Sequence, residues 1–302
     1  MDGNNSRRHA HRGTIFVEDG RILSQESFPG LQFVLRLAAP LCAARATAGS
    51  FVHVAVDPSI PMRRPLSIMR VDRAAGWIEL LFKIHGHGLQ HLAARRVGET
   101  VNLMGPIGQG FVPHRDRPRA LLLGGGVGIP PIVFLAETLR EHGKEEFQPF
   151  AILGSELPFP FRARPSTIVV PGMPDGVIAC MPLLEEWGVS SRLTSKSGFP
   201  GCFDGHVTDL ARLWLQQLDA ATRAQVEIFT CGPTPMLRAV TALAREFEVA
   251  CQASLEEYMA CAVGGCAGCT VEVQTPTGPA MKRVCVDGPV FDAHTVFVDN
   301  AA

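Results

Sequence analysis

Apolar and polar residues alternate in short stretches through the first third of the chain: Thr14–Glu18, Leu31–Leu37, Ser50–Val56, Ile68–Val71, Trp77–Ile84 and Thr100–Met104. Each stretch carries β-branched or aromatic residues and is bounded by Gly, Pro or Asp, the pattern of half-buried strands. Strands this short at this cadence predict a small antiparallel barrel. Past Arg119 the pattern changes. Apolar runs at Arg119–Leu123, Pro149–Leu153, Ser166–Val170 and Val226–Phe229 alternate with helical periodicity over Ile132–His142, Met181–Trp187, Val207–Leu218 and Pro235–Glu246. Such an alternation predicts a parallel sheet covered by helices on both faces. The charged, proline-bearing HRDRPR at 114–119 reads as the linker between the two parts. The expected fold is multidomain: a flexible tail at 1–13, an antiparallel β-barrel at 14–113, an α/β parallel-sheet domain at 114–250 and a small C-terminal domain at 251–302.

A length of 302 residues accommodates two or three domains, and a hydrophobic content of 46% supplies their cores. The formal net charge of −1 carries no bulk attraction for nucleic acid or an anionic membrane, so neither is an expected partner. The apolar run Ala120–Ala136 is interrupted by four glycines and two adjacent prolines and falls short of a membrane span. The polar, basic N-terminus lacks the apolar run of a secretory signal. Nine cysteines, an odd number in a chain this large, suit a reducing compartment rather than a disulfide framework. A cytoplasmic location is expected.

Four of those cysteines change the picture. They stand as Cys261-x4-Cys266-x2-Cys269 and, after fifteen intervening residues, Cys285. This is the plant-ferredoxin spacing of a [2Fe-2S] cluster, which needs four thiolates on two irons and donors to its sulfurs. Gly264, Gly265 and Gly268 lie in the loop and are expected to supply positive φ, turning N–H groups inward. The alternative is a structural zinc site with four thiolates, and with it a binding module without redox activity. Zinc more usually takes two C-x2-C pairs, and only one is present.

Three further patterns bear on chemistry. In the barrel, Arg63-Arg64-Pro65-Leu66-Ser67-Ile68 precedes one strand, then Gly86 and Gly88 open a helix, then Gly105-Pro106-x-Gly108 follows. Arginine can hold a phosphate bidentately, and a helix start suits a pyrophosphate. His85, His87 and His91 cluster here; without a nearby carboxylate or cysteine in sequence they read as a solvated helix start. In the sheet domain, Gly124, Gly125, Gly126 and Gly128 form a turn that departs from G-x-G-x-x-G at Ile129. A hundred residues on comes Cys231-Gly232-Pro233. Cys231 alone would read as a small buried hydrophobe; paired with the glycine turn it reads as pocket-forming, because such loops share one edge of a parallel sheet.

The order of these motifs resembles the ferredoxin-reductase superfamily. The resemblance implies FAD held by Arg64, Pro65, Leu66, Ser67, Leu81, Phe82, Lys83, Gly88 and Leu89. Leu89 departs from the Thr or Ser usual there and cannot give a hydroxyl. It also implies NAD(P) held at Gly124, Gly125, Gly126, Gly128, Cys231, Gly232 and Pro233, with Cys231 beside the nicotinamide as the catalytic candidate. Arg192-Leu-Thr194-Ser195-Lys196-Ser197 stands where relatives carry acidic residues, so NADPH is expected to be tolerated beside NADH. Finally, residues 254–291 closely resemble the cluster domain of the electron-transfer subunits of type B dihydroorotate dehydrogenases, with metal ligands Cys261, Cys266, Cys269 and Cys285. Tyr258 and Ala262 replace a commonly seen Arg and Gly. The family implies an FMN-containing dihydroorotate dehydrogenase catalytic subunit as partner, in a heterotetramer, with the cluster between two flavins. Sibling reductase subunits of sulfhydrogenase and ferredoxin:NADP oxidoreductase complexes share the Asp287–Phe291 ending. The fifteen residues Thr270–Val284, read as a β-hairpin, favour the dihydroorotate branch. A self-sufficient reductase feeding a soluble acceptor is the remaining alternative.

Overall fold

The computed structural model describes residues 13–143 and 145–298. The expected tail at 1–13 lies, but for Gly13, outside the described residues. Six antiparallel strands close a barrel: β1 (Phe16–Phe28), β2 (Gln32–Ala38), β3 (Phe51–Val54), β4 (Arg64–Asp72), β5 (Trp77–Lys83) and β6 (Thr100–Ile107), in the order β1-β2-β5-β4-β3-β6. The cross-strand pairs Leu35↔Leu80, Leu37↔Ile78 and Val52↔Leu66 bury the alternate apolar positions inside it. Period-two side-chain alternation sends Phe51, His53, Pro65 and Ser67 to the outer face, toward the rest of the chain.

Beyond the linker come β7 (Arg119–Gly125), β8 (Phe150–Gly154), β9 (Arg164–Pro165), β10 (Ala179–Cys180), β11 (Ser190–Thr194), β12 (Val226–Cys231) and β13 (Ala250–Ser254). Strands β11, β8, β7, β12 and β13 lie parallel in that order, and β9 pairs only with β10. The helix Ile129–Glu141 starts with prolines in its first turn and packs against β4 of the barrel, where Arg70 Nη2 meets Glu137 Oε1 at 3.0 Å. The linker is fastened too: His114 Nδ1 lies 3.0 Å from Glu227 Oε1, a carboxylate almost wholly buried at the foot of β12.

Two expectations need correction. Ser166–Val170 is not a strand. Its Ser166 hydroxyl and Thr167 N–H instead donate to the Glu185 carboxylate at 2.9 and 2.6 Å, a local alternative to ladder pairing, and Val169 is exposed. The edge position belongs to the polar Ser190–Thr194, whose buried Arg192 donates to the carbonyls of Ser191 and Ile168 at 2.7 and 2.8 Å. The expected division at 250/251 falls inside β13, which is a full member of the parallel sheet.

The C-terminal segment forms the expected hairpin, β14 (Thr270–Thr275) with β15 (Gly278–Arg283), and then returns as β16 (Val290–Asp292), antiparallel to β13. Between hairpin and β16, the Gly288–Pro289 turn is held from both sides. The Gln109 N–H of the barrel donates to Gly288 O at 2.5 Å, and Leu255 N–H donates to Pro289 O at 2.9 Å. The small third unit is thus clasped where the other two meet.

Candidate functional site

The barrel end of the site is built around Arg64 at the start of β4. Its guanidinium lies across Gly88, so that a Cβ there would sit 2.6 Å from Nη2. Nη1 donates to Met62 O at 2.7 Å, and no carboxylate pairs with it among the described residues. Beneath it begins the helix Gly86–Ala93, whose N-cap His85 makes no side-chain cap. An unneutralised guanidinium over uncapped N–H groups, with a glycine where a side chain would fill the gap, fits a pyrophosphate. Pro65 and Ser67 are half-buried beside it, Leu66 is buried at the barrel mouth, and Leu89 packs half-buried on the barrel core. Leu81 and Phe82 are 3% and 1% exposed, so their side chains are core; only their main chain and the exposed Lys83 can meet a cofactor. His85, His87 and His91 are all exposed, and His91 lies 3.4 Å from Asp57.

At the second station, parallel pairing sets Cys231 opposite Gly124 at the carboxyl ends of β12 and β7. Gly128 is stacked on the Cys231 carbonyl so closely that any Cβ would collide with it, and Gly125 and Gly232 both pack on the Met236 sulfur. The two loops expected to share an edge do so. Gly126, with φ +55°, turns the chain there, leaving Val127 and Pro233 exposed at the rim. The Cys231 thiol, expected as the catalytic group, is itself fully enclosed. Burial, then the nearby Glu256 carboxylate, push its pKa well above the ordinary range, against weaker help from the Ser254 hydroxyl and the Gly232 N–H. It is a neutral, enclosed thiol beneath the two glycine loops. Sequence reasoning missed its neighbours. Ser254 pairs with Cys231 across β13, and Glu256 follows two residues later. Glu256 keeps a face open to solvent, yet the protein crowded around it raises its pKa by burial. The sequence signal was their place at the end of, and just after, the short apolar stretch Ala250–Ser254.

The third station is the cysteine loop. Its four thiols fall into an outer and an inner pair. The Cys266 N–H approaches Cys261 Sγ at 3.4 Å, and both residues are open to solvent to some degree. Cys269 and Cys285 are 3% and 2% exposed and lie against each other. Burial opposes ionisation of the Cys261 thiol, but the N–H groups of Val263, Cys266 and Gly265 and the Cys266 side chain bring it down to about 7. Burial first, then the thiol and charge of Cys269, push Cys285 up to about 12, with the Gly264 N–H opposing. Among the described residues no three metal-ligating side chains stand at the close spacing of a single ion. Four thiols in two neighbouring pairs, with N–H groups directed at Cys261 and Cys285, fit the donor set of a two-iron cluster. The left-handed turns come partly from unexpected residues. Gly264 has φ +79°, but Ala262 and Ala267 take φ +55° and +54°, while Gly265 and Gly268 do not turn left-handed.

The loop sits against the barrel. A cleft of about 560 Å³ is walled by Arg45, Thr47 and Ser50 of the barrel on one side and by Val263, Cys285 and Val286 on the other. On β3, His53 is wholly enclosed without a well-formed hydrogen bond at either ring nitrogen. The backbones of Met259 and Arg63 are its polar neighbours, and burial holds its pKa low, so it is a neutral imidazole that no ligand reaches.

Comparison with known proteins agrees with this geometry. The iron–sulfur cluster binding domain of dihydroorotate dehydrogenase B matches residues 256–297. The dihydroorotate dehydrogenase B (NAD(+)) electron transfer subunit of Shouchella clausii is 34% identical over 253 residues, covering 82% of this chain and 85% of that protein. The subunits of Bacillus caldolyticus and Desulforamulus reducens are 32% and 30% identical, covering 91% and 93% of this chain and 96% and 98% of theirs. Among solved structures, an NADH-dependent reduced ferredoxin-NADP oxidoreductase superposes with a TM-score of 0.73 at 25% identity, covering 92% of this chain and 89% of that one. Phthalate dioxygenase reductase shares the fold, with a TM-score of 0.55 at 16% identity over 88% of this chain and 76% of that one. The chain therefore belongs to the family of dihydroorotate dehydrogenase B electron-transfer subunits.

Proposed function

We propose that this chain passes electrons between a [2Fe-2S] cluster, FAD and NAD(P), coupling dihydroorotate oxidation in an FMN-containing partner subunit to NAD⁺ reduction in pyrimidine biosynthesis. The observation that carries the reading is the clasp at Gly288–Pro289. It joins the turn after the last cysteine to the barrel through Gln109 and to the end of the nucleotide sheet through Leu255, so the three units that carry the sites share one junction. When bound, FAD would exchange a hydride with the nicotinamide and single electrons with the cluster.

The chain's own residues do the positioning. Arg64 and the helix start at Gly88 hold the pyrophosphate of FAD, with Pro65, Leu66, Ser67, Leu89 and the main chain of Leu81–Lys83 around it. Gly124, Gly125, Gly126 and Gly128, with Gly232 and Pro233, shape the nucleotide edge, and the enclosed Cys231 fixes the depth of its wall. Glu256 is a carboxylate near enough to raise the pKa of Cys231, has its own pKa raised by burial, and keeps a face open to solvent. Cys261, Cys266, Cys269 and Cys285 hold the cluster.

The exposed rim of the loop, with Tyr258 91% and Val263 50% accessible, is the face we assign to the catalytic subunit, in a heterotetramer. A cytoplasmic setting accords with nine free cysteines. No helix among the described residues is long and apolar enough to cross a membrane. At the nucleotide rim, Lys196 is exposed and unpaired among the described residues, and the Ser197 hydroxyl donates to Glu156 O at 2.7 Å. That favours tolerance of a 2′-phosphate. Comparable kcat/KM for NADH and NADPH supports it, and a preference for NADH above ~10³-fold, the size of a lost charged contact or two, removes it.

The decisive test is co-purification with the catalytic subunit followed by a dihydroorotate:NAD⁺ assay. Flavin absorption, a rhombic EPR signal on reduction and coupled turnover are expected. A colourless chain, or efficient turnover with ferredoxin alone and no partner, overturns the reading. Ala267→Glu on the exposed loop should leave NADH:dye activity intact and abolish coupling. The same change at Ala262, which is 1% exposed, would break the loop itself.

A further inference from the structure

Arg283 ends β15 two residues before Cys285, and its side chain turns back onto the cysteine loop. Nη1 donates to Gly264 O at 3.2 Å, and a Cβ on Gly264 would collide with Val286 Cγ2 at 2.6 Å and crowd Nη1 at 3.2 Å, so the glycine leaves room for both side chains. Gly264, with φ +79°, sits midway between Cys261 and Cys266 and points its N–H at Cys285. The other edge of the guanidinium is anchored by Asp287: Nε lies 3.5 Å from Oδ2, and that oxygen also accepts the Arg283 N–H at 2.8 Å. One side chain therefore spans the hairpin end, the ligand loop and the turn after the last ligand.

We propose that Arg283 is a positioning residue for the cluster that also sets how readily the bound cluster accepts an electron. The inference rests on the family reading given above. By holding the Gly264 carbonyl, the guanidinium fixes the peptide whose N–H, that of Gly265, faces Cys261, and with it the residue whose own N–H faces Cys285. As a permanent positive charge held against the ligand loop, it stabilises the form carrying one more electron. Asp287 offsets part of that charge, and the 41% exposure of the Arg283 side chain screens more. Lysine would keep the charge and lose the planar fork; glutamine would lose the charge.

The test is an EPR-monitored redox titration of the full chain carrying FAD and cluster, with the flavin midpoint read optically in the same samples. In R283Q, cluster reduction is disfavoured about tenfold, 59 mV more negative for a one-electron couple, while the flavin midpoint stays put. R283K stays within about threefold of wild type but loses its cluster faster to a chelator, because the fork to Gly264 is gone. D287N, which frees the guanidinium from its counter-charge, moves the cluster midpoint in the opposite direction. An R283Q midpoint within threefold of wild type at full cluster occupancy overturns the assignment, as does an equal shift in R283Q and R283K. Should R283Q assemble no cluster, an unmoved D287N midpoint overturns it instead. A wild-type chain with no cluster signal overturns this and the family reading together; a wild-type signal with an unmoved R283Q overturns this alone.

Discussion

The guanidinium of Arg64 rests on Gly88, 2.6 Å from where that residue's Cβ would be. Two segments twenty-four residues apart thereby meet at the place proposed for the pyrophosphate of FAD. Arg64→Ala removes charge-assisted hydrogen bonds of about 1.5–3 kcal/mol each, so FAD affinity should fall at least tenfold. Gly88→Ala should do nearly as much by displacing the guanidinium while leaving its charge. Flavin titration of the stripped protein measures both. Unchanged affinity in Arg64→Ala would remove Arg64 from the cofactor site.

Gly128 poses a stricter steric question, because its missing side chain would collide with the Cys231 backbone rather than with a flexible tip. Gly128→Ala must separate β7 from β12 at their carboxyl ends. The expected outcome is a large rise in KM for NADH, with flavin and cluster spectra retained. Wild-type kinetics in that variant would mean the nucleotide binds elsewhere.

In the cluster-free chain, Cys261 is held near 7 against an ordinary 9.0, so the folded loop favours its thiolate. That contribution is complete above the unfolded value and is lost as the pH falls through about 7. Alkylation by iodoacetamide should therefore reach half its maximal rate at Cys261 near pH 7. Cys285, pushed up to about 12, should stay unmodified at pH 8. If Cys261 instead titrates like a free cysteine, the N–H cradle forms only on cluster binding.

Ala262 and Ala267 sit in the left-handed region, which costs a residue with a Cβ roughly 1–2 kcal/mol. Replacement by glycine relieves that strain and returns part of it as unfolded-chain entropy. A net gain of about 0.5–1 kcal/mol is expected in either single variant, read as a higher Tm or slower cluster loss. A fall in stability at both positions would show that the loop is not strained there.

Amino-acid order alone determined the barrel, the strand–turn–helix at Gly124–Gly128 and the hairpin, and its cysteine spacing is what proposes the four cluster ligands. Each of these rests on local periodicity or on the short spacing of residues whose chemistry is narrow. Tertiary structure decided the rest, because the deciding partners are distant in the chain. Ser190–Thr194 takes the sheet edge although it is polar, since Arg192 finds carbonyl acceptors that no periodicity reveals. Cys231 proves enclosed because Gly128, a hundred residues earlier, closes over its backbone. Glu256 comes near Cys231 only through the pairing of β13 with β12. Burial and charge depend on what folds over a residue, and a linear pattern records only its immediate neighbours.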